Sequence, residues 1–407
     1  MDILIEEFEE KIWSVALENG RLEGLEIDPT NETVRYGSIY WAKVARIDKA
    51  LDAAFLDLDG ENTGIIFNAD CRFADVDGNP KKGGEKAIGK TLSPGDMIPV
   101  QAKSGYLADI EGNLIGNEDK MARMSMDITI QGRYLIYCAM MNSNRISQRI
   151  RGKDLRAKLD KMVQSIEDME GLILRSAAAD MQTEILQREA RILKEMWLQI
   201  SAYFEGNAPT LIALGPDSIQ RILSDKAAGA IDRIEIVTMD HFEQVEEWCS
   251  IFAPDLMTKI TPVEMDDGAL DLALLEYRDL LGQIEALFHN YVLLNKGGSL
   301  IIQRTAAMTV IDVNTGSDKR SRLAVNIDAA HEIARQIRLR NLGGIIVVDF
   351  LKMPKKDEKA LLKALDEQTY TDPCTVQIHG LTKLGLMEMT RKRRTPPLDE
   401  RVSGIDF

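Results

Sequence analysis

Two short apolar runs in this chain are each interrupted by a single aspartate. Residues 308–313 are apolar except for Asp312, and residues 345–350 are apolar except for Asp349. Runs this apolar are typical of strands that are buried on both faces of a sheet. The pattern therefore predicts two buried strands, each with a carboxylate near its end.

The segment between the two runs has the periodicity of an amphipathic helix. Gly343 and Gly344 are predicted to end this helix, as glycines at helix C-termini commonly do. A strand–helix–strand unit of this length implies a right-handed crossover between parallel strands, so both aspartates can face one crevice. The apolar positions at helical spacing are Leu323, Ile327, Ala330, Ala334 and Ile337.

The paired acids are the strongest candidate for chemistry. Two carboxylates at the same end of neighbouring strands repel each other unless a cation lies between them, and an unpaired buried charge is costly. A hard cation that prefers oxygen ligands, such as Mg²⁺, suits this position. The alternative is that one or both aspartates cap a turn after the strand. Repetition of the pattern on two strands favours the metal site.

The rest of the chain alternates between strand-rich and helical stretches. Residues 37–125 carry short strands of alternating polarity, which predict a small barrel. Residues 126–205 begin with strands and become helical from Lys153, and residues 206–279 alternate strands with helices. These patterns predict a multidomain α/β (α+β) protein.

Composition limits the class of protein. The chain has 407 residues, of which 45% are apolar and 28% charged, so we expect a globular protein of several domains. It has no apolar run near ~20 residues, and its acidic N-terminus does not resemble a targeting peptide. The four scattered cysteines form no zinc-binding spacing. We therefore expect a cytoplasmic protein with no membrane partner and no zinc.

The charge distribution is uneven. A net charge of −15 argues against a general nucleic-acid binder. Residues 331–394 nevertheless hold 13 Lys and Arg against 8 Asp and Glu, ending in the cluster at residues 391–394. Such a cluster is usually a solvated face. Beside a carboxylate pair it is a candidate phosphate-binding surface, with Arg391 and Arg393 as RNA contacts.

One motif is interpreted as a chance match. Residues 84–91, GEKAIGKT, fit the phosphate-binding pattern GxxxxGK[ST]. A true loop of this kind follows a buried strand and opens a helix, so that backbone amides converge on phosphate. Here a polar, turn-rich stretch precedes the motif and Ser93-Pro94-Gly95 follows it, so we expect a surface loop of the barrel.

Three long motifs together resemble one known family. TVIDVNTG, DAAHEIARQIRLRNLGGIIVVDF and LGLMEMTRKR are similar to the catalytic domain of the ribonuclease E/G family and occur in the same order. The resemblance implies that Asp312 and Asp349 hold one Mg²⁺ ion and that Asn314 positions the attacked phosphate. It implies hydrolysis of single-stranded RNA to 5′-phosphate and 3′-hydroxyl ends, in RNA processing or decay.

The resemblance also implies a domain order. The parts expected are a split RNase H-like domain at 1–36 and 206–279, an S1-type OB-fold barrel at 37–125, a 5′-sensor region at 126–205 and a DNase I-like catalytic domain at 280–400.

Two RNA contacts in the barrel are implied by the same resemblance. Phe55 lies where the family has an aromatic residue that stacks on a base, and Lys103 lies where it has a lysine that contacts phosphate. The alternative for Phe55 is core packing. Ile65 occupies the position of a second aromatic residue, so a weaker stacking platform is expected, since stacking contributes ~1–3 kcal/mol per base.

The sensor region carries the pair that in the family contacts the 5′-monophosphate of RNA. These residues are Arg175 and Ser176, with Lys383 at a third, more distant contact. A guanidinium and a hydroxyl are suitable ligands for a terminal phosphate. The alternative is that Arg175 pairs with an acid of the next helix, Asp180 or Glu184.

Several positions depart from the family pattern. Ala306 lies where many members have a glutamate, Lys352 lies where a second aspartate is common, and the cysteine segment that links protomers through zinc is missing. A monomer or homodimer is therefore expected rather than a zinc-linked tetramer. The departures leave open a rival hypothesis, an RNA-binding or ribosome-associated protein with weak or no cleavage. A nucleotidase or ATPase that uses Lys90 is the third alternative.

Overall fold

The computed structural model describes residues 1–28, 32–74, 80–107, 121–148, 150, 152–166, 169–179, 181–226, 229–265 and 272–402. They form two compact units. The barrel unit comprises Met1 and the described residues within 32–262, and the sheet unit comprises those within 2–28 and 263–402. No helix in the described ranges is long and apolar enough to cross a membrane.

The strands are numbered in chain order. They are β1 Asp2–Phe8, β2 Lys11–Glu18, β3 Arg21–Asp28, β4 Glu32–Val34, β5 Ile39–Asp48, β6 Ala53–Asp57, β7 Thr63–Phe67, β8 Arg72–Ala74, β9 Pro80–Lys82, β10 Met97–Ala102, β11 Tyr106–Leu107, β12 Ala122–Ser125, β13 Thr129–Gln131, β14 Leu135–Cys138, β15 Arg145–Ile146, β16 Leu172–Leu174, β17 Thr210–Ala213, β18 Arg233–Ile236, β19 Ile260–Pro262, β20 Tyr291–Leu293, β21 Ser299–Arg304, β22 Met308–Asn314, β23 Gly344–Asp349, β24 Val376–Leu381 and β25 Met387–Arg391.

The helices are numbered in the same way. They are α1 Lys153–Gln164, α2 Thr183–Ser201, α3 Ser218–Asp225, α4 Met239–Phe252, α5 Ala273–Tyr277, α6 Leu281–Glu285, α7 Arg322–Leu339, α8 Lys355–Thr369 and α9 Leu398–Arg401. All four cysteines are free thiols.

A closed five-stranded barrel forms the centre of the barrel unit. Strands β5, β6 and β7 are antiparallel, β12 runs parallel to β7, and β10 closes the barrel by pairing with both β12 and β5. Alternate side chains point inward and make its core, including Val44, Leu56, Ile66, Val100 and Met124. The predicted small barrel and the mixed α/β class are confirmed. The finer division into five parts stays a prediction.

The remainder of the barrel unit combines strands and helices as expected. A four-stranded sheet, β13-β14-β16-β15, lies next to α1 and α2, and β18 pairs in parallel with β19 beside α4. Helix α1 begins at Lys153, the residue predicted from the sequence.

A six-stranded sheet organises the sheet unit, in the order β20-β21-β22-β23-β25-β24. Strands β22 and β23 are parallel and α7 connects them, which confirms the predicted strand–helix–strand unit. Helices α7 and α8 pack on one face of this sheet. Its core includes Leu300, Ile311, Ile333, Ile346 and Leu365.

The prediction that β22 and β23 are buried on both faces is wrong. Ile311 and Ile346 face the helices, whereas Val310 is 37% exposed and Ile345 is 48% exposed on the opposite face. Side chains of a strand alternate between faces, and here only one face is covered. Asp312 and Asp349 belong to the open face, so the cost of burying an isolated charge does not apply to them.

The predicted end of the helix is also corrected. Helix α7 ends at Leu339, and Asn341, with a φ of +49°, takes the left-handed position that glycine was expected to fill. Gly343 has a packing role instead, because a Cβ atom there would lie 2.4 Å from Cγ of Arg393. Of the predicted apolar stripe, Ala330, Ala334 and Ile337 are buried, whereas Leu323 and Ile327 are half-buried.

Strands β1, β2 and β3 form an antiparallel meander in the sheet unit. The buried Glu6 carboxylate on β1 accepts hydrogen bonds from the backbone N–H groups of Leu274 and Leu275. It therefore satisfies donors at the N-terminus of α5, which that short helix cannot satisfy itself.

Candidate active site

The two predicted metal ligands are brought together by strand register. Asp312 and Asp349 are Cα partners across the parallel pair β22–β23. Partners in neighbouring strands lie about 5 Å apart and present their side chains on the same face. Asp312 is half-buried and Asp349 is exposed. Both carboxylates are thus accessible from the open face of the sheet.

Asn314 completes the predicted catalytic set. It lies two residues after Asp312 on the same face of β22, and its Nδ2 donates a hydrogen bond of 2.9 Å to Oδ2 of Asp312. This bond orients the carboxylate. The IDVN motif therefore places an acid and an amide in contact, as a strand period of two requires.

The chain that follows Asp349 is held by a residue that the sequence analysis missed. Asn326 on α7 is fully buried, its Oδ1 accepts from the Leu351 N–H at 3.0 Å, and its Nδ2 donates to the Leu351 carbonyl at 2.8 Å. Nη1 of Arg322 donates to the Lys352 carbonyl at 2.9 Å. These bonds fix the end of β23. Asn326 lies three residues after Leu323 and four before Ala330, so it falls within the predicted apolar stripe. A polar residue at that position was the signal available in the sequence.

The loop after Asn314 carries an ion-pair cluster. Arg320 contacts the carboxylates of Asp318 and Asp328. Its hydrogen bonds hold the pKa of Asp318 below the ordinary value, and the same two acids raise the pKa of Arg320. The loop also rests on the preceding turn, because the Ser317 N–H donates to the Gly297 carbonyl at 3.0 Å. Ion pairs and a backbone hydrogen bond therefore hold this loop, which directly follows the strand that carries Asp312.

The donor set fits a hard divalent cation. Two carboxylates and a side-chain amide are available, and all three supply oxygen ligands. In the part of the chain that the structure describes, no group of three or more His, Cys, Asp or Glu side chains could hold a metal. A two-carboxylate site suits Mg²⁺, which keeps several waters and is bound through one or two carboxylates plus phosphate oxygens.

The basic cluster at residues 391–394 is only partly a surface feature. Arg391 is buried, its Nε donates to Asp372 at 2.9 Å, and its Nη1 donates to Asn341 Oδ1 and to the Leu342 carbonyl, both at 3.0 Å. The prediction that Arg391 contacts RNA is therefore corrected, because its guanidinium is enclosed by protein acceptors.

The other members of the cluster divide in the same way. Arg394 is buried and pairs with Glu26 at 3.0 Å, whereas Lys392 and Arg393 are exposed. Arg393 is thus the member of the predicted pair that remains a candidate RNA contact. Arg335 and Arg338 of α7 are likewise held by Glu332 and Glu23 at 2.8 and 2.9 Å.

The outer face of the barrel presents a row of four side chains on neighbouring strands. Arg46 is the Cα partner of Phe55, Phe55 of Ile65, and Ile65 of Arg123. The Arg46 guanidinium lies over the Phe55 ring, 3.5 Å from its centroid. Ala54 and Leu56 enter the barrel core and Phe55 does not, so core packing is the wrong alternative for Phe55.

Lys103 lies at the edge of the barrel with its ammonium group in contact with protein acceptors. Its Nζ donates to Oε1 of Gln101 at 2.8 Å and to the Asp127 carbonyl at 2.7 Å. Contact with an RNA phosphate would compete with these two bonds. The role of Lys103 stays a prediction.

Arg175 has acceptors other than those considered from sequence. Its Nη1 donates to the Gly132 carbonyl at 2.9 Å, and its Nη2 donates to the Ser224 carbonyl at 3.1 Å and lies 3.8 Å from Asp225. Glu184 is exposed on α2, and the other proposed acid, Asp180, lies outside the described residues. The acid near Arg175 therefore comes from α3.

The remaining predicted sensor residues are both exposed. Ser176 begins a short 3₁₀ helix directly after Arg175. Lys383 lies in the turn between β24 and β25 in the sheet unit.

The phosphate-loop motif does not form a phosphate cradle. The backbone N–H of Ile88 donates to Asp52 Oδ1 at 2.9 Å, and that of Gly84 donates to Asn68 Oδ1 at 3.1 Å. A 3₁₀ turn at Ile88–Lys90 follows, rather than an α-helix. The interpretation of residues 84–91 as a surface loop of the barrel is confirmed, which removes the structural basis for a nucleotidase using Lys90.

Comparison with known proteins agrees with the geometry. The model of the Ribonuclease E/G family matches residues 129–394, well over half of the chain. The chain belongs to the ribonuclease E/G family. Ribonuclease G of Salmonella typhimurium (strain SL1344) is 30% identical over 392 residues, which cover 93% of this chain and 76% of that protein. Ribonuclease G of Haemophilus influenzae (strain ATCC 51907 / DSM 11121 / KW20 / Rd) is 30% identical over 396 residues, which cover 94% of this chain and 77% of that protein.

Ribonuclease E proteins are similar over an equally large part of this chain. Ribonuclease E of Escherichia coli (strain K12) is 32% identical over 413 residues, which cover 98% of this chain but 37% of that protein. As a ribonuclease E/G family member, the chain is an endoribonuclease, and the family generally needs a divalent metal and binds single-stranded RNA. The oligomeric state stays a prediction.

Proposed function

We propose that this protein is a Mg²⁺-dependent endoribonuclease that hydrolyses single-stranded RNA to 5′-phosphate and 3′-hydroxyl ends and is stimulated by a 5′-monophosphate. The observation that carries the proposal is the register of Asp312 and Asp349 on the open face of β22 and β23, with Asn314 bonded to Asp312. Two acids so placed are repulsive without a cation and form a divalent-ion site with one.

The chemistry follows from the side chains around this face. A bound Mg²⁺ ion would polarise a phosphoryl oxygen and lower the pKa of a coordinated water. Asp312 and Asp349 would hold the ion, and the Asn314 amide orients Asp312. Lys319 and Lys352 are exposed on the loops that leave β22 and β23, where positive charge offsets the charge that builds on the phosphate.

Preference for single strands is supported by the barrel. Arg46 covers one face of the Phe55 ring, and Arg123, which pairs with Asp70 at 2.8 Å, lies beyond Ile65 in the same row. Bases of unpaired RNA stack on aromatic rings and on guanidinium planes, whereas stacked bases inside a duplex cannot. The Arg123 guanidinium beside Ile65 partly replaces the aromatic residue expected there.

Stimulation by the 5′-monophosphate rests on Arg175 and Ser176. Ser176 is exposed at the start of a 3₁₀ turn, where its hydroxyl lies at the surface, and Arg175 is half-buried directly before it. The Arg175 guanidinium is bonded to carbonyls on two sides, so it is held in one orientation. A 5′-phosphate would therefore bind through the remaining N–H donors of the guanidinium or displace these bonds.

The test uses an AU-rich, single-stranded RNA carrying either a 5′-monophosphate or a 5′-hydroxyl. We expect cleavage with Mg²⁺ and none with EDTA, loss of cleavage in Asp312→Asn/Asp349→Asn, and retained RNA binding by that variant. Arg175→Gln should abolish the advantage of the 5′-monophosphate and leave 5′-hydroxyl substrate unaffected. Cleavage that survives in the double variant would overturn the site, and binding without cleavage by the parent protein would favour the RNA-binding alternative.

A further inference from the structure

A cavity of about 570 Å³ lies within the sheet unit, beside the edge strand β20 and helix α7. Ligand sites in proteins commonly have volumes of roughly 300–1,000 Å³, so the cavity is large enough for a nucleotide. Asp312, Asn314 and Asp349 do not line it. The cavity is therefore a separate feature that needs its own explanation.

One wall of the cavity is a preassembled group of charges. The buried Glu332 carboxylate accepts from Arg21, from Arg335 at 2.8 Å and from Gln336 at 2.8 Å. It thereby fixes two guanidinium groups at the cavity. Their charges are met by protein carboxylates, so this wall is rigid but is not a source of unpaired positive charge.

Lys296 is the lining cation best placed to meet an anion. Arg21 and Arg335 share the carboxylate of Glu332 and also lie 3.7 and 3.5 Å from Glu23, so their charges are balanced within the protein. Asp328 is paired with Arg320, which lies outside the lining. Lys296 is exposed on the turn that follows β20.

The opposite side of the cavity is aromatic and apolar. Tyr291 is 55% exposed and Leu293 is 68% exposed, and both line the cavity from β20. Exposed rings beside cationic groups are the combination that binds unpaired nucleotides, because bases stack on the ring and phosphates pair with the cations.

Strand register connects the cavity to the paired aspartates. Tyr291 is the Cα partner of Ile301, and Ile301 is the partner of Asp312. Tyr291 therefore shares the open face of the sheet with Asp312, two strand spacings or about 10 Å away. The turn that carries Lys296 also touches the loop after Asn314, through the hydrogen bond from Ser317 to Gly297.

We propose that the cavity binds a nucleotide of single-stranded RNA that lies next to the cleaved bond, with its base on Tyr291 and its phosphate at Lys296. The inference rests on the proposed function, since it assumes that the scissile phosphate lies at Asp312 and Asp349. It adds a second contact region in the sheet unit, formed by side chains that the barrel does not supply.

The test measures RNA affinity without cleavage. Fluorescence anisotropy of a labelled, single-stranded AU-rich oligoribonucleotide gives Kd on the Asp312→Asn/Asp349→Asn background. Tyr291→Ala should weaken binding about 5- to 100-fold, and Tyr291→Phe should restore it, because stacking needs only the ring. Lys296→Ala should reduce the slope of log Kd against log salt by about 0.7, the change expected for one lost phosphate contact, and Lys296→Arg should restore it.

Matched controls lie in the same unit but outside the cavity. Tyr277→Ala removes a more exposed tyrosine and Lys363→Ala removes an exposed lysine, and both should leave Kd and the salt slope unchanged. In the cleaving protein, Tyr291→Ala should raise KM and leave kcat unchanged at saturating RNA, which a general loss of structure would not do.

The outcomes separate this inference from the proposed function. The cleavage assay with the parent protein tests the metal site at Asp312 and Asp349. The Kd measured on the inactive background tests the cavity. An unchanged Kd in both Tyr291→Ala and Lys296→Ala would overturn the cavity site. It would also be overturned if Tyr291→Ala weakened binding of uridine monophosphate but not of the oligoribonucleotide, since the cavity would then hold a free nucleotide.

Discussion

Asp312 and Asp349 face each other across a parallel strand pair, on the side of the sheet that α7 and α8 leave uncovered. Like charges directly opposite each other in a sheet are destabilising, by roughly 0.2–1 kcal/mol. The repulsion is relieved when a divalent cation binds between them. Stability of the sheet unit should therefore report on the site without any activity measurement.

This relationship predicts how metal and substitution combine. In EDTA, Asp349→Asn should raise the free energy of unfolding by up to ~1 kcal/mol because one charge of the repelling pair is removed. Added Mg²⁺ should stabilise the parent protein and not the variant, since a ligand stabilises only the state that binds it. Urea denaturation with and without Mg²⁺ measures both effects.

A control for that experiment is available on the same face. Glu388 is an exposed acid on β25 whose Cα partner on β23 is Val347, not another acid. Glu388→Gln should respond to Mg²⁺ as the parent protein does. Equal stabilisation of the parent and Asp349→Asn by Mg²⁺ would contradict a metal site at this pair.

A second prediction concerns Asp372 and Arg391. Both side chains are 1% exposed and their ion pair measures 2.9 Å. Asp372→Ala leaves the Arg391 charge buried without its carboxylate, which typically costs 3–5 kcal/mol. Thermal or chemical denaturation should show a loss of about this size, with RNA affinity of the folded protein unchanged.

The exposed pair Lys363–Glu367 on α8 provides the comparison. Glu367→Ala should cost less than about 1 kcal/mol, because solvent screens an exposed ion pair. If Asp372→Ala were as mild as Glu367→Ala, the buried pair would not be a structural element, and a role for Arg391 in RNA binding would need reconsideration.

A third prediction concerns the barrel face. Ile65 lies between Phe55 and Arg123 in one cross-strand row. Ile65→Phe adds a second ring next to Phe55 and should tighten binding of single-stranded RNA by about 1 kcal/mol or more, the lower end of the range for stacking one base. Ile65→Leu, which adds no ring, should leave affinity unchanged. Equal affinities of the two variants in a binding titration would show that RNA does not use this face.

A fourth prediction concerns the pH dependence of stability. Burial raises the pKa of Glu189 to about 7 from an ordinary 4.5, against the opposing effect of hydrogen bonds from the Leu135 and Tyr134 N–H groups. The folded state therefore favours the protonated acid. The stability from this group is fully present below pH 4.5 and is lost as pH rises through about 7.

Glu189→Gln tests this directly, because glutamine accepts the same two N–H donors and carries no charge. Relative to the variant, the free energy of unfolding of the parent protein should fall by up to about 3 kcal/mol between pH 4.5 and 7. It should not fall further at higher pH. Free energies of unfolding across this range supply the measurement. Glu184→Gln, on the exposed side of the same helix, should follow the parent, and a flat difference between Glu189→Gln and the parent would refute the prediction.

Much of the local structure was predictable from residue patterns. Apolar runs, a helical stripe and polar loops placed β22, α7 and β23 in order, and alternation between residues 37 and 125 predicted the barrel. The IDVN and VVDF motifs identified Asp312, Asn314 and Asp349, because acids inside apolar runs stand out in any sequence.

Errors arose where a side chain has a choice of partners. A basic cluster at residues 391–394 looks the same in sequence whether its arginines face RNA or carboxylates, and Arg391 pairs with Asp372 inside the protein. The alternative considered for Arg175 was an acid of the next helix, such as Asp180 or Glu184, whereas the acid that lies near it is Asp225 of α3. Partners this far apart along the chain leave no periodic signal.

Spacing within one segment was thus sufficient to predict the elements and to single out Asp312, Asn314 and Asp349 as the candidate metal site. The faces that stay open, the buried ion pairs, the clamp made by Asn326 and the cavity beside Tyr291 depend on strand register and on packing between distant segments. Those relationships are set by free energies of many long-range contacts together, so they became visible only in the folded chain.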